Sequence, residues 1–65
     1  MPGKQPRFAV GDTVRVGLPF LPMSGEVGVV IKRYELDDQY RYVVQFENGR
    51  EEVFFEKELF PMEVN

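Results

Sequence analysis

Four short β-forming runs, each bounded by turn residues, constrain this 65-residue chain more than any other feature. Gly11-Asp12 opens Thr13-Val14-Arg15-Val16. Gly25-Glu26 leads into Val27-Gly28-Val29-Val30-Ile31. Tyr40-Arg41-Tyr42-Val43-Val44-Gln45-Phe46 runs into Glu47-Asn48-Gly49-Arg50, and Glu51-Glu52-Val53-Phe54-Phe55 precedes Glu56-Lys57-Glu58-Leu59. Short runs rich in β-branched and aromatic residues, punctuated by Gly, Asn and Asp, predict an all-β chain of closely spaced strands.

The first strand is expected over 13–16, with Val14 and Val16 on one face and Thr13 and Arg15 on the other. The second is expected over 27–34, with Gly28 marking a bend or bulge. Residues 35–39 are a polar connection with Asp37-Asp38 at its tip. The third strand is expected over 40–46, with Tyr42, Val44 and Phe46 pointing one way and Arg41, Val43 and Gln45 the other. Asn48-Gly49 is the strongest hairpin signal, because both residues tolerate positive φ. The fourth strand is expected over 51–55. Residues 56–59 are too few for an α-helix, so a 3-10 turn is predicted there. A short fifth strand over 60–64 follows, with Pro61 suiting a sheet edge. Residues 1–7 are expected to be a flexible arm, and residues 8–65 one domain whose first core residues are Phe8 and Val10.

Size and composition exclude several functions. A chain this short buries only about 60% of its unfolded surface, so its core needs most of its aromatic residues. It has neither Cys nor His. That removes disulfides, the commonest zinc and copper ligands, and the usual acid–base group near neutrality. Its single Ser, Ser24, has no His to activate it. No enzymatic activity, catalytic residue, cofactor or metal is therefore expected. Asp37-Asp38 lacks the alternating oxygen ligands of a calcium loop and reads as a solvated turn. Gly25 and Gly28 fit neither phosphate-binding glycine pattern. No run of about 20 apolar residues could span a bilayer, and the polar N-terminus has no apolar signal segment. A cytoplasmic protein without a membrane or small-molecule partner is the expectation.

Net charge is −3, unevenly distributed. Residues 1–33 carry five basic groups against two acids, a balance of +3, whereas residues 34–65 carry three against nine, a balance of −6. An acidic surface favours a basic partner and opposes phosphate backbones. Three features could bind a partner. The proline-bearing loop 17–25 carries Leu18, Phe20, Leu21 and Met23, either as an exposed lip or as a plug over the core. Phe54 points away from the face shared by Val53 and Phe55, either outward as an aromatic anchor or partly buried on a highly curved strand that has both sides covered. The acids Glu47, Glu51, Glu52, Glu56 and Glu58 could present a negative face, or could simply keep a small protein soluble and guard its strand edges.

The pattern Val10-Gly11-Asp12-x-Val14-x-Val16, Gly25-x-x-Gly28-x-Val30, Tyr42-x-Val44-x-Phe46 and Glu58-Leu59 resembles the SH3-like barrel superfamily. The resemblance implies a five-stranded SH3-like barrel with a 3-10 turn before the last strand. The Gly-Asp-x-Val start and the later Gly-x-x-Gly-x-Val are similar to KOW modules, which bind RNA or protein. Here the corresponding loop, 17–26, has no Lys or Arg. The chain also lacks the Trp and the Ala-Leu-Tyr-Asp-Tyr segment of polyproline-binding SH3 domains. The run Val53-Phe54-Phe55-Glu56-Lys57-Glu58-Leu59 resembles a bacterial branch, the acidic SH3-like antirepressors of myxobacterial carotenoid genes, which occupy the DNA-reading helix of a repressor. The start of the chain also resembles the C-terminal barrel of nitrile hydratase β subunits.

These readings converge on a stand-alone, bacterial, non-catalytic protein-interaction module of regulatory type. Glu51, Glu52, Glu56 and Glu58 would supply charge to a basic partner, with Phe54 and Phe20 as apolar anchors. The alternatives are a KOW-like RNA- or DNA-binding module using Lys4, Arg7, Lys32 and Arg33, and a small accessory subunit of an enzyme complex.

Overall fold

The computed structural model describes residues 5–17 and 25–62. Alternation of small apolar and polar residues builds the strands β1 (Thr13–Val16), β2 (Val27–Leu36), β3 (Gln39–Phe46), β4 (Glu51–Phe55) and β5 (Leu59–Pro61). A 3-10 turn over Glu56–Glu58 joins β4 to β5. All pairings are antiparallel, in one sheet of order β4-β3-β2-β1-β5.

Side chains on the inner face of this sheet form the core. Val14, Val16, Val30, Tyr42, Val44 and Leu59 are fully buried, and Phe8, Phe46 and Phe54 nearly so. Each such aliphatic or aromatic side chain contributes about 1.5–3 kcal/mol by leaving water. Two edge-to-face ring pairs organise the aromatics: Phe8 with Tyr42 at 5.3 Å and Phe46 with Phe54 at 6.2 Å. Phe8 belongs to this core as expected, but Val10 does not. It is 61% exposed, beside the turn in which the Asp12 amide donates to the Ala9 carbonyl.

β4 and β5 occupy opposite ends of the strand order, yet only three residues separate them. A flat five-stranded sheet would hold its edges about 19 Å apart. A 3-10 turn rises only about 2 Å per residue, so the sheet must curl to bring β4 toward β5. The fifth strand starts at Leu59, one residue earlier than expected, because Leu59 pairs with Val16 and fills the core.

Two local irregularities determine which side chains face outward. In β2, Val30 pairs with Val44 but Lys32 pairs with Val43, so Ile31 is an extra residue in a bulge. The bulge reverses the inside–outside alternation. Beyond it Lys32 and Tyr34 share the outer face with Val43, whereas Arg33 pairs with the buried Tyr42 and donates to the Phe8 carbonyl at 3.0 Å. Gly28 is not the bulge. It is a point of close approach, where a Cβ would lie 2.5 Å from Val44 Cγ1 and 2.7 Å from the Gln45 carbonyl oxygen.

The second irregularity is the β3–β4 hairpin. The Phe46 amide donates to the Arg50 carbonyl and the Gly49 amide to the Phe46 carbonyl, both at 2.8 Å. The loop therefore has three residues, 47–49. Gly49 is at φ 87°, but Asn48 does not share its positive φ. The tight turn with two consecutive positive φ angles lies instead at Asp37 (56°) and Asp38 (64°), between the paired Leu36 and Gln39. That is the requirement of a type I′ hairpin turn.

Candidate partner-binding surface

The hairpin geometry corrects the expected role of Phe54. A two-residue turn at Asn48-Gly49 would pair Tyr42 with Phe55 and send Val53 and Phe55 inward. The three-residue loop instead pairs Tyr42 with Phe54 and Val43 with Val53. A one-residue change of register moves every side chain to the opposite face. Phe54 is accordingly 2% exposed and packs in the core against Phe46, while Val53 is 52% exposed. Phe54 is a core residue and offers no exposed anchor.

The acidic residues do not share one face either. Glu51 lies on the outer face opposite Gln45, whose side-chain amide donates to it at 3.4 Å. Glu52, the next residue, points the other way, opposite Val44, and pairs with Arg50 at 3.7 Å. Glu56 is half-buried, and its Oε2 accepts hydrogen bonds from the Tyr42 hydroxyl (2.6 Å) and the Arg7 amide (2.8 Å). Glu58 reaches back to accept from the Phe55 amide at 2.8 Å, closing the start of the 3-10 turn. Glu56 and Glu58 therefore hold the fold. Phe20 lies outside the described residues, as does the rest of the 18–24 loop.

The cations of the nucleic-acid alternative are also separated. Lys32 is on the outer face with its Nζ 5.9 Å from the centre of the Tyr34 ring. Arg33 is on the inner face, and the Arg7 guanidinium lies over Phe8 at 5.1 Å. Lys4 is outside the described residues.

The structure instead assembles a surface that residue alternation alone does not reveal. Val27, Val29, Ile31 and Val53 are each 38–52% exposed, and Val43, half-buried, lies between Lys32 and Val53. These five aliphatic residues cross β2, β3 and β4 on the outer face. Their only sequence signal is the unbroken Val29-Val30-Ile31 run, which the bulge resolves into one inward and two outward side chains. The stripe meets a cation–aromatic cluster at one end, where the Arg41 guanidinium lies 4.8 Å from the Phe55 ring centre and Tyr34 pairs with Arg41. Arg41 Nη1 is buried there without a hydrogen-bond partner. Nearby, Arg7, Gln39, Tyr40, Phe55, Glu56 and Lys57 line an open cleft of about 270 Å³.

Tyr42 is fully buried, and burial together with its hydrogen bond to Glu56 pushes its pKa up from 10.0 to about 12. Tyr42 is thus a neutral donor at physiological pH and a structural group. Among the described residues no helix is long and apolar enough to cross a membrane. No protein-family model, curated protein or solved structure matches this chain.

Proposed function

We propose that this chain is an SH3-like barrel serving as a non-catalytic, cytoplasmic protein-interaction module whose docking surface is the outer face of its sheet. The strand order and the three-residue link between the edge strands support barrel closure. So does a core that takes Phe54 from one edge strand and Leu59 from the other. The lack of His and Cys supports a non-catalytic role.

The observation that carries the docking surface is the contiguous stripe Val27, Val29, Ile31, Val43 and Val53. Scattered exposed apolar residues are ordinary, but a contiguous patch rimmed by polar groups is characteristic of an interaction site. The complementary partner is apolar at its centre and basic where it meets Glu51. This retains the expectation of a basic partner surface, but moves the site from the four acids to the outer face.

The test is capture of protein partners on immobilised wild type beside Val53→Lys, with Glu51→Lys/Glu52→Lys as a charge control. A partner retained by wild type and lost by Val53→Lys is expected. A partner retained equally by wild type and Val53→Lys would overturn the outer-face reading. Recovery of RNA instead, released by salt, would move the function to the nucleic-acid class.

A further inference from the structure

The outer face is polarised along the strands. At one end of the β3–β4 hairpin stands Arg41, stacked on Phe55, with Tyr34 opposite it on the neighbouring strand. At the opposite end stands Glu51, paired with Gln45. Val43, Val53 and Ile31 occupy the middle. From Arg41 to Gln45 is four residues along β3, about 13 Å. That exceeds the Debye length at physiological salt, about 8 Å, so the positive and negative ends act as separate poles.

Resting on the outer-face reading, we infer that the occupant of this surface is a second copy of the chain. The two copies are related by a two-fold axis that lies in the interface and crosses β3 near Val43, perpendicular to the strands. That operation lays the Arg41 end of each copy over the Glu51 end of the other, and packs Val43, Val53 and Ile31 against their own counterparts, with Lys32, opposite Val43, close to the axis. A self-complementary face uses every favourable contact twice, as an isologous interface requires. A two-fold parallel to the strands would leave each copy's cationic end beside the other's, a like-charge arrangement that costs stability. Charge therefore selects one geometry of the two.

Arg41 strengthens the argument. Its Nη1 is buried without a hydrogen-bond acceptor, and a buried cationic group is costly unless negative charge lies nearby. Arg41 is half-buried as a whole, and the carboxylate of Glu51 from a second copy brings negative charge to its guanidinium. Another outer-face cation, Arg15, sits on the far side of the sheet over Phe60, outside the Arg41–Glu51 axis.

Sedimentation velocity from about 1 µM to 1 mM, with far-UV circular dichroism on each variant, tests the inference. The wild type is expected to pass from a 7.6 kDa monomer to a dimer as concentration rises. Arg41→Glu and Glu51→Arg should each weaken the dimer at least tenfold. An equimolar mixture of the two variants should recover it, because every opposed pair across the two-fold again has opposite sign. Should Arg41→Glu fail to fold, Glu51→Arg alone decides: it must weaken the dimer at least tenfold, and an unchanged dimer overturns the inference. A wild type that stays monomeric throughout, or a dimer that ignores both reversals, overturns the inference. A monomer that still captures another protein in a Val53-dependent way leaves the docking face standing and removes only the second copy as its occupant.

Discussion

The hydroxyl of Tyr42 donates a 2.6 Å hydrogen bond to Glu56, joining the middle of the sheet to the 3-10 turn that links its two edge strands. The same carboxylate oxygen accepts from the Arg7 amide, and the Phe8 amide approaches the Tyr42 oxygen at 3.5 Å. One buried phenol and one carboxylate therefore tie the N-terminal segment, β3 and the 3-10 turn together. A hydrogen bond to a charged group contributes about 1.5–3 kcal/mol.

Tyr42→Phe should accordingly destabilise the fold by about 1–3 kcal/mol at pH 7. The pH dependence gives a second signature. Because the folded pKa of Tyr42 is raised from 10.0 to about 12, the unfolded chain loses this proton first as pH rises. The stabilisation is complete below pH 10 and is lost as pH rises through 12. Urea midpoints at pH 7, 9 and 11 should show wild type and Tyr42→Phe converging at the alkaline end. Parallel curves would exclude the linkage.

Phe54 and Val53 are adjacent, yet their substitutions should differ severalfold in effect. Phe54→Ala empties a core site facing Phe46 and is expected to cost about 3–5 kcal/mol. Val53→Ala removes a half-exposed side chain and should stay within about 0.5 kcal/mol. Chemical denaturation of both variants checks the orientation of β4 directly, and equal losses would contradict it.

Two glycines separate rigid from yielding obstruction. At Gly28 the nearest atoms to an added Cβ include the Gln45 backbone carbonyl, which the sheet holds in place. Gly28→Ala should cost about 1–3 kcal/mol through overpacking. At Gly17 the obstruction is the half-exposed Phe60 ring, which can swing outward. Gly17→Ala should therefore cost less and lift Phe60 from Arg15. Thermal unfolding of the pair ranks them.

The Asp37-Asp38 turn holds two non-glycine residues in the left-handed region, which is sterically unfavourable for L-residues. Replacing the pair by Asn-Gly, the preferred type I′ sequence, should stabilise the protein by about 1 kcal/mol. In a domain of this size that raises Tm by roughly 4–8 °C. Scanning calorimetry decides it, and an unchanged or lower Tm would show that the aspartates make compensating contacts.

The surface poles of the outer face were not legible as such. Arg41, Glu51 and Lys32 are visible as charges anywhere along the chain. Their alignment on one face depends on the bulge at Ile31 and on the three-residue loop 47–49. Glu56 reads as a solvated or partner-facing acid because its donors, the Tyr42 hydroxyl and the Arg7 amide, are brought to it by the fold, whereas Glu58 accepts from the nearby Phe55 amide in a local turn contact.

The sequence by itself determined the number of strands and their order along the chain, the 3-10 turn and which residues of β1 and β3 share a face. There Val14 and Val16, and Tyr42, Val44 and Phe46, alternate with residues of different character, and all five are buried. Period-two alternation defines which residues share a face within one strand, but not which face meets the core. In β4, Phe54 stands on one face and Val53 and Phe55 on the other, and in β2 the run Val29-Val30-Ile31 hides the bulge, so local pattern is degenerate. There only tertiary pairing decided. Phe54 turned inward and Tyr34 outward because one extra residue, in a loop or a bulge, shifts the register by one and inverts every side chain beyond it.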